Sequence, residues 1–194
     1  MASLFDKLEA EAFRKGYAKR SKEAQKWFMQ KTKNMGQVPM NKLLTDKRVT
    51  TKQRPRVGDM FHFTYDPKHR TTLPYYDRFP LIIMVKKAPG GFYGLNLHYL
   101  PPKLRAIFLD RLTEVANNKK FDESTRLKIN YDLIKGANKY RYFKPCFKHY
   151  LTEHVDSKIV KIDASEWDIA IFLPTENFAK AGKRKVWKDS KGMY

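Results

Sequence analysis

The spacing of apolar positions changes twice along the chain, from a helical period to an alternating one and back, before short strands return near the C-terminus. Over residues 3–33, Leu4, Leu8, Phe13, Tyr17, Ala24, Trp27 and Phe28 approximate one stripe, and this spacing predicts a single helix. Its other side carries Lys7, Arg14, Lys15, Arg20, Lys22 and Lys26. From Asn34 to Arg56 the periodicity breaks, which predicts an extended segment that orders against a partner.

Alternation begins at "DMFHFTYDP", where large apolar and polar positions exchange from Met60 to Tyr65 and Asp66-Pro67 ends the run. "PLIIMVKK" and "FYGLNLHYL" follow as two further strands. The "APGG" between them makes a hairpin, because Gly90 and Gly91 tolerate positive φ. Strand character returns in "KIVKID" and "DIAIFLP", separated by "ASEW", about one turn of tight helix. A Val-Gly-Asp lead-in and a last strand pair joined by one helical turn are habits of small SH3-like barrels. The fold class expected is therefore α+β: an SH3-like β-barrel of about five strands, with a helical insertion between strands 3 and 4. Its expected core is Phe61, Phe63, Leu81, Ile83, Val85, Phe92, Leu95, Leu97, Ile159, Ile169 and Ile171.

The insertion spans residues 101–156. Pro101-Pro102 opens a helix whose buried face is Leu104, Ile107, Phe108, Leu112 and Val115. A second helix starts near Asp122 and stops near Gly136, with Leu127, Tyr131 and Ile134 on its stripe. A third is expected over residues 143–154, placing Lys144 and Lys148 on one face. The organisation expected is a basic N-terminal helix and arm over 1–56, a barrel domain over 57–175, and a basic tail over 176–194 that lies on something else.

Composition sharpens the question of partners. Forty Lys and Arg against twenty Asp and Glu give a formal charge of +20, and the first 56 residues hold 15 of the bases and 5 of the acids. Such an excess repels itself in isolation and points to an acidic partner, with nucleic acid ahead of an anionic membrane or an acidic protein. Lys and Arg neutralise phosphates and release counterions, while interleaved aromatics stack on bases. The single cysteine, Cys146, leaves no internal disulfide, so packing holds the fold. No apolar run approaches the roughly 18 to 20 residues of a membrane helix, and acids in "MASLFDKLEAEAF" do not suit a signal peptide.

Signals for catalysis are weak, and each has a plainer reading. No GK[ST] phosphate loop occurs, and Gly90-Gly91 reads as a turn. His62, His69, His98, His149 and His154 lack zinc-site spacing, although His62 and His98 fall on neighbouring strands. Cys146 lies three residues from His149 with no third orienting group, so a buried structural thiol fits it better than a nucleophile. A metal-dependent nuclease would need Asp59, Asp66 and Asp77 to converge. Turn capping and ion pairing account for each of them. The chain reads as a non-enzyme without cofactor or metal.

The strings "FTYDPKHRTTLPYYDRFPLIIMV", "GGFYGLNLHYLPPKLRAIFLDRL", "YRYFKPCFKHYL" and "EWDIAIFLPTENF" carry a resemblance. Over residues 55–190 the chain resembles the DNA end protector family of T-even-type contractile-tailed bacteriophages. The resemblance implies a virion protein, assembled in the host cytoplasm, that caps double-stranded DNA ends against exonuclease late in head completion. Such a protein acts by occupancy. It supplies no catalytic motif to transfer, and the first 55 residues would be free to bind a portal or neck ring.

The DNA-contact candidates come from charge clustering alone: Arg14, Lys15, Lys19, Arg20, Lys22, Lys26, Lys144, Lys148, Lys183, Arg184 and Lys185. Candidate contacts with other virion subunits, at the portal, neck or tail, or with a second copy in a homo-oligomer, are Tyr75, Tyr76, Arg78, Trp27 and Trp187. A structural connector of the neck, tail or baseplate is the competing reading, with the termini as its protein-binding elements.

Overall fold

The computed structural model describes residues 3–45, 55–116, 132, 136 and 143–192. The expected helix from Asp122 to Gly136, apart from two isolated positions, lies outside them, as do the side chains of Leu112 and Val115.

The single N-terminal helix expected from periodicity is two. Helix α1 covers Leu4–Arg14 and α2 covers Lys22–Lys33. Ser3 caps α1 by accepting from the Asp6 amide, while Asp6 accepts from the Ser3 amide in return. Gly16, at φ 81°, takes the left-handed conformation that stops α1. Ser21 then starts α2 by accepting from the Ala24 amide. The reversal places Phe5, Leu8 and Ala12 against the same core as Ala24 and Phe28, and turns Phe13 out to 81% exposure. Within the stretch expected to be extended, Met40–Leu44 forms a short helix, α3, which buries Leu43.

The central sheet is antiparallel, built from β1 (Met60–His62), β3 (Leu81–Ala88), β4 (Gly91–Asn96), β5 (Phe147–Leu151) and β6 (Val160–Ile162) in the order β5-β4-β3-β1-β6. Strand β2 (Tyr76–Asp77) pairs separately with β7 (Phe178–Ala179). The sheet is open: among the described residues β5 and β6 are its two edges and do not meet. The closed SH3-like barrel is therefore not formed. One reason is that "DIAIFLP", expected as the closing strand, begins as a helical turn, α5 (Trp167–Ala170). Ile169 to Leu173 are all buried, and a short run with no exposed position has no period to separate strand from helix.

Residues 143–154 also correct the expectation: a 3-10 turn over Lys144–Cys146 leads into β5 rather than a helix. The 101–156 insertion thus contains a sheet strand besides helix α4 (Pro102–Ala116). Among the described side chains of α4 the buried ones are Arg105, Phe108 and Leu109, and Ile107 is 54% exposed. The C-terminal tail is a helix, α6 (Lys183–Gly192), whose Val186 and Ser190 pack inward. It lies on the chain's own core.

The expected core residues are buried, except Ile159, which is half-buried at the margin. Both faces of the sheet are covered. Leu81, Ile83, Val85 and Leu95 face the helices, whereas Phe61, Phe63, Ile82, Met84, Phe92 and Tyr150 form a second, aromatic cluster behind it. That double cover explains why β3 reads as an unbroken apolar run. The hairpin turn is Pro89-Gly90, with Gly90 at φ 70°. Gly91 is needed for a different reason: a Cβ there would come within 1.9 Å of the Tyr150 carbonyl oxygen on β5.

Candidate nucleic-acid interface

A polar network runs through the core beneath the sheet. Asn96, at the end of β4, donates from Nδ2 to Asp77 Oδ2 at 3.1 Å and to the Tyr150 hydroxyl at 3.1 Å. His98 Nδ1 lies 2.7 Å from Asp77 Oδ2, and its Nε2 lies 2.9 Å from Thr175 Oγ1. Asp77, His98 and Thr175 thus align as a carboxylate, an imidazole and a hydroxyl, the order of a nucleophile relay. The three are 4%, 0% and 1% exposed, so the hydroxyl faces protein rather than a substrate space. Burial alone would raise the Asp77 carboxyl, but the His98 imidazole and the hydrogen bonds it receives hold it below the ordinary carboxylate range. His62, stacked on Phe79 at 4.5 Å and 5.7 Å from His98, is lowered to about 3 by burial and by His98.

Beside this network Arg105 is buried to 1% exposure. It donates from Nε to Leu100 O at 2.7 Å and from Nη1 to Ile171 O at 3.0 Å, and from Nη2 to Glu176. Burial opposes the charge on Glu176, and Arg105 outweighs it, bringing the carboxyl down to about 2. The indole of Trp187 donates to His98 O at 2.8 Å and so ties α6 to the same network.

The charge-selected residues fall in three places. Arg14, Lys15, Lys19, Arg20, Lys22 and Lys26 are exposed on α1, α2 and their connection, with Lys19 paired to Glu9 at 2.9 Å. Lys183, Arg184 and Lys185 are exposed on the first turn of α6, where Lys185 pairs with Asp189 at 2.8 Å. Lys144 is exposed on the 3-10 turn. Lys148, by contrast, is half-buried with its ammonium 4.3 Å above the Tyr99 ring, and burial lowers its pKa. Of the candidate partner contacts, Tyr75 is buried against Tyr99 and Phe178, and Trp27 and Trp187 are half-buried. Tyr76 is half-buried in β2, and exposed Arg78 clasps Asn177 Oδ1 at 3.2 and 2.8 Å.

The three aspartates weighed for a nuclease do not converge on one another. Asp59 pairs with Lys161 at 3.0 Å, Asp66 with Arg70 at 2.6 Å, and Asp77 belongs to the sealed network. Among the described residues no group of three His, Cys, Asp or Glu side chains could hold a metal ion. Cys146 is buried, and its thiol is pushed up to about 12 by that burial, which suits a structural residue.

A family model described as Phage T4 terminal DNA protecting protein matches residues 1–190. The chain belongs to that family. No curated protein and no solved structure matches it. Family membership thus bears out the resemblance, and the match extends it: it begins at residue 1 rather than 55. That extension agrees with α1 and α2 contributing to the shared core. Among the described residues of this family member, no helix is long and apolar enough to cross a membrane.

The sequence reasoning missed three groupings, one of them the buried network of Asp77, His98 and Thr175. Arg105 and Glu176 lie 71 positions apart, and nothing local marks them as partners. Tyr93 and His149 stack on adjacent strands at 4.7 Å, and both are exposed. The strand alternation that puts Tyr93 on the opposite face from Phe92 was the available signal.

Proposed function

We propose that the chain binds double-stranded DNA without turnover and shields the ends of packaged phage DNA against exonuclease. The observation that carries this reading is the family match across residues 1–190, and the +20 charge supports it. Exposed cations on α2 and α6 supply phosphate contacts at two separate surfaces: Lys22 and Lys26 on one, Lys183 and Arg184 on the other. Protection by occupancy needs no activated nucleophile, and the relay of Asp77, His98 and Thr175 serves as internal bracing. The virion is the place of action, reached late in head completion.

The test is digestion of a linear duplex by exonuclease with and without the protein over a salt series. Protection that weakens steeply with added salt, and that a covalently closed circle competes for poorly, is the expected result. Equal competition by the closed circle would remove end recognition and leave general DNA binding.

A contact with other virion subunits is the second reading, favoured by one feature. A cleft of about 350 Å³ between α1, α2 and α5 is lined by Ala12, Phe28 and Ile169, with Phe13 on its wall. Asp6, Glu9 and Asp168 line it together with Lys19 and Arg20, so its apolar floor and mixed charge suit a protein segment that brings an apolar side chain between polar ones. Association with portal or neck subunits that Phe13→Ser abolishes, with DNA binding intact, would establish this second role.

A further inference from the structure

Phosphates run the full length of a duplex, so cations alone hold its interior as well as its end. What an end offers uniquely is the bare face of its last base pair, and a protein recognises that face with an exposed aromatic ring. Among the described residues the exposed aromatic side chains of the large apolar class are Phe13 and Tyr93. Phe13 borders a cleft of mixed charge, in which Lys19 and Arg20 stand among Asp6, Glu9 and Asp168 and Lys19 is paired to Glu9 at 2.9 Å. Tyr93 lies in basic surroundings.

Three adjacent strands meet at Tyr93. It opposes Lys86 on β3 and His149 on β5, and all three are exposed. The Tyr93 and His149 rings stack with centroids 4.7 Å apart and planes 24° from parallel. The register shift between Met84 and Lys86 creates this row. Without it Val85 would oppose Tyr93, and Lys86 would oppose Phe92, which is buried in the aromatic cluster. The bulge sends Val85 into the core and sets the lysine beside the exposed tyrosine, a re-aiming for which bulges are commonly retained. The nearest acid along β5 and its extension is Glu153, which turns to His154 at 3.6 Å.

We propose that Tyr93 and His149 form a stacking platform for the terminal base pair of a DNA duplex, with Lys86 on a phosphate of its last nucleotides. This rests on the end-protection reading and names the surface that distinguishes an end from an interior site. The cations of α2 and α6 then hold duplex without regard to position, and the platform supplies the preference.

The probe is a blunt duplex carrying 2-aminopurine at its terminal pair, compared with one carrying it at an interior pair. Stacking on the platform quenches the terminal probe and leaves the interior one unchanged. Tyr93→Ala should abolish that quenching and weaken binding to the short linear duplex about tenfold, the scale of one lost aromatic stack. Tyr93→Phe should retain both effects, and binding to a covalently closed circle should be unchanged in either variant. A Tyr93→Ala protein that quenches the terminal probe and protects ends as the parent does overturns the platform while leaving end protection intact. A parent protein that protects no linear end overturns the underlying reading, and the platform with it. Thermal unfolding of each variant shows that the fold is retained.

Discussion

Two histidines in this molecule each sit against another ring, with opposite consequences. His98 has both ring nitrogens bonded, to Asp77 and Thr175, and is fully buried. His149 is exposed on an edge strand and holds only a stacked tyrosine. The buried one has the more suggestive chemistry and nowhere to use it; the exposed one has little chemistry and a surface that DNA can reach. Access, rather than the set of residues brought together, separates bracing from recognition here.

That contrast predicts that stability follows the buried network and recognition follows the surface row. Arg105→Met should be the costliest change. It leaves the Glu176 carboxylate only Lys183, at 3.8 Å, and removing the main partner of a buried pair costs about 3–5 kcal/mol. Denaturant unfolding would read the loss, and Arg105→Met combined with Glu176→Gln should recover part of it. A loss under about 1 kcal/mol for the single change would mean that water replaces the arginine, and the core would be looser than its burial indicates.

Acid should act through the same region. The unfolded chain protonates His62 near 6.5 and the folded chain only near 3, so between those values the unfolded state binds the extra proton. Stability is therefore complete above about pH 6.5 and falls as pH drops, by about 2 kcal/mol at pH 5. Glu176 has its ordinary value of 4.5 brought down to about 2, so its contribution is present above pH 4.5 and is lost as pH falls toward 2. Both losses are on the acid side. His62→Phe, which keeps a ring against Phe79, should flatten the slope between pH 5 and 6.5 in thermal unfolding.

Thr175→Val is a smaller and more pointed change. If the relay is bracing, removing one hydroxyl costs about 1 kcal/mol, and exonuclease protection at fixed salt stays as it was. A variant that kept its stability but lost protection would move His98 from the scaffold to the site.

How much of this was legible in the sequence follows from how locally each feature is encoded. The hairpin and the apolar positions of β3 and β4 follow from residues within a few places of one another, although the turn sits at Pro89-Gly90, one place before the expected Gly90-Gly91. The break between α1 and α2 was also written locally, in Gly16 and the Ser21 cap, and a continuous apolar stripe obscured it. "DIAIFLP" and "FKHYL" failed for a different reason: one has no polar position to set a period, and the other is short enough for the neighbouring sheet edge to decide its state. The buried network joins Asp77, Asn96, His98, Tyr150 and Thr175 from four stretches of chain, so only the fold could assemble it. Charge clustering located exposed cations on α1, α2 and α6, but it had no access to Lys86 opposite Tyr93, because that pairing depends on a bulge.

The smallest expected effect on stability falls at the position expected to matter most for end recognition. Tyr93→Ala removes a ring that is 42% exposed and leaves the rows of Leu95 and Phe92 in place, so unfolding should shift by no more than about 0.5 kcal/mol. Lys86→Ala should be equally silent in unfolding and should lower the salt slope of duplex binding by about 0.9, the share of one phosphate contact. The two substitutions therefore separate on DNA: the tyrosine changes end preference at every salt concentration, and the lysine changes how binding responds to salt. A Tyr93→Ala variant destabilised by more than about 1 kcal/mol would place the ring among the bracing residues, and the contrast between the two histidines would no longer hold.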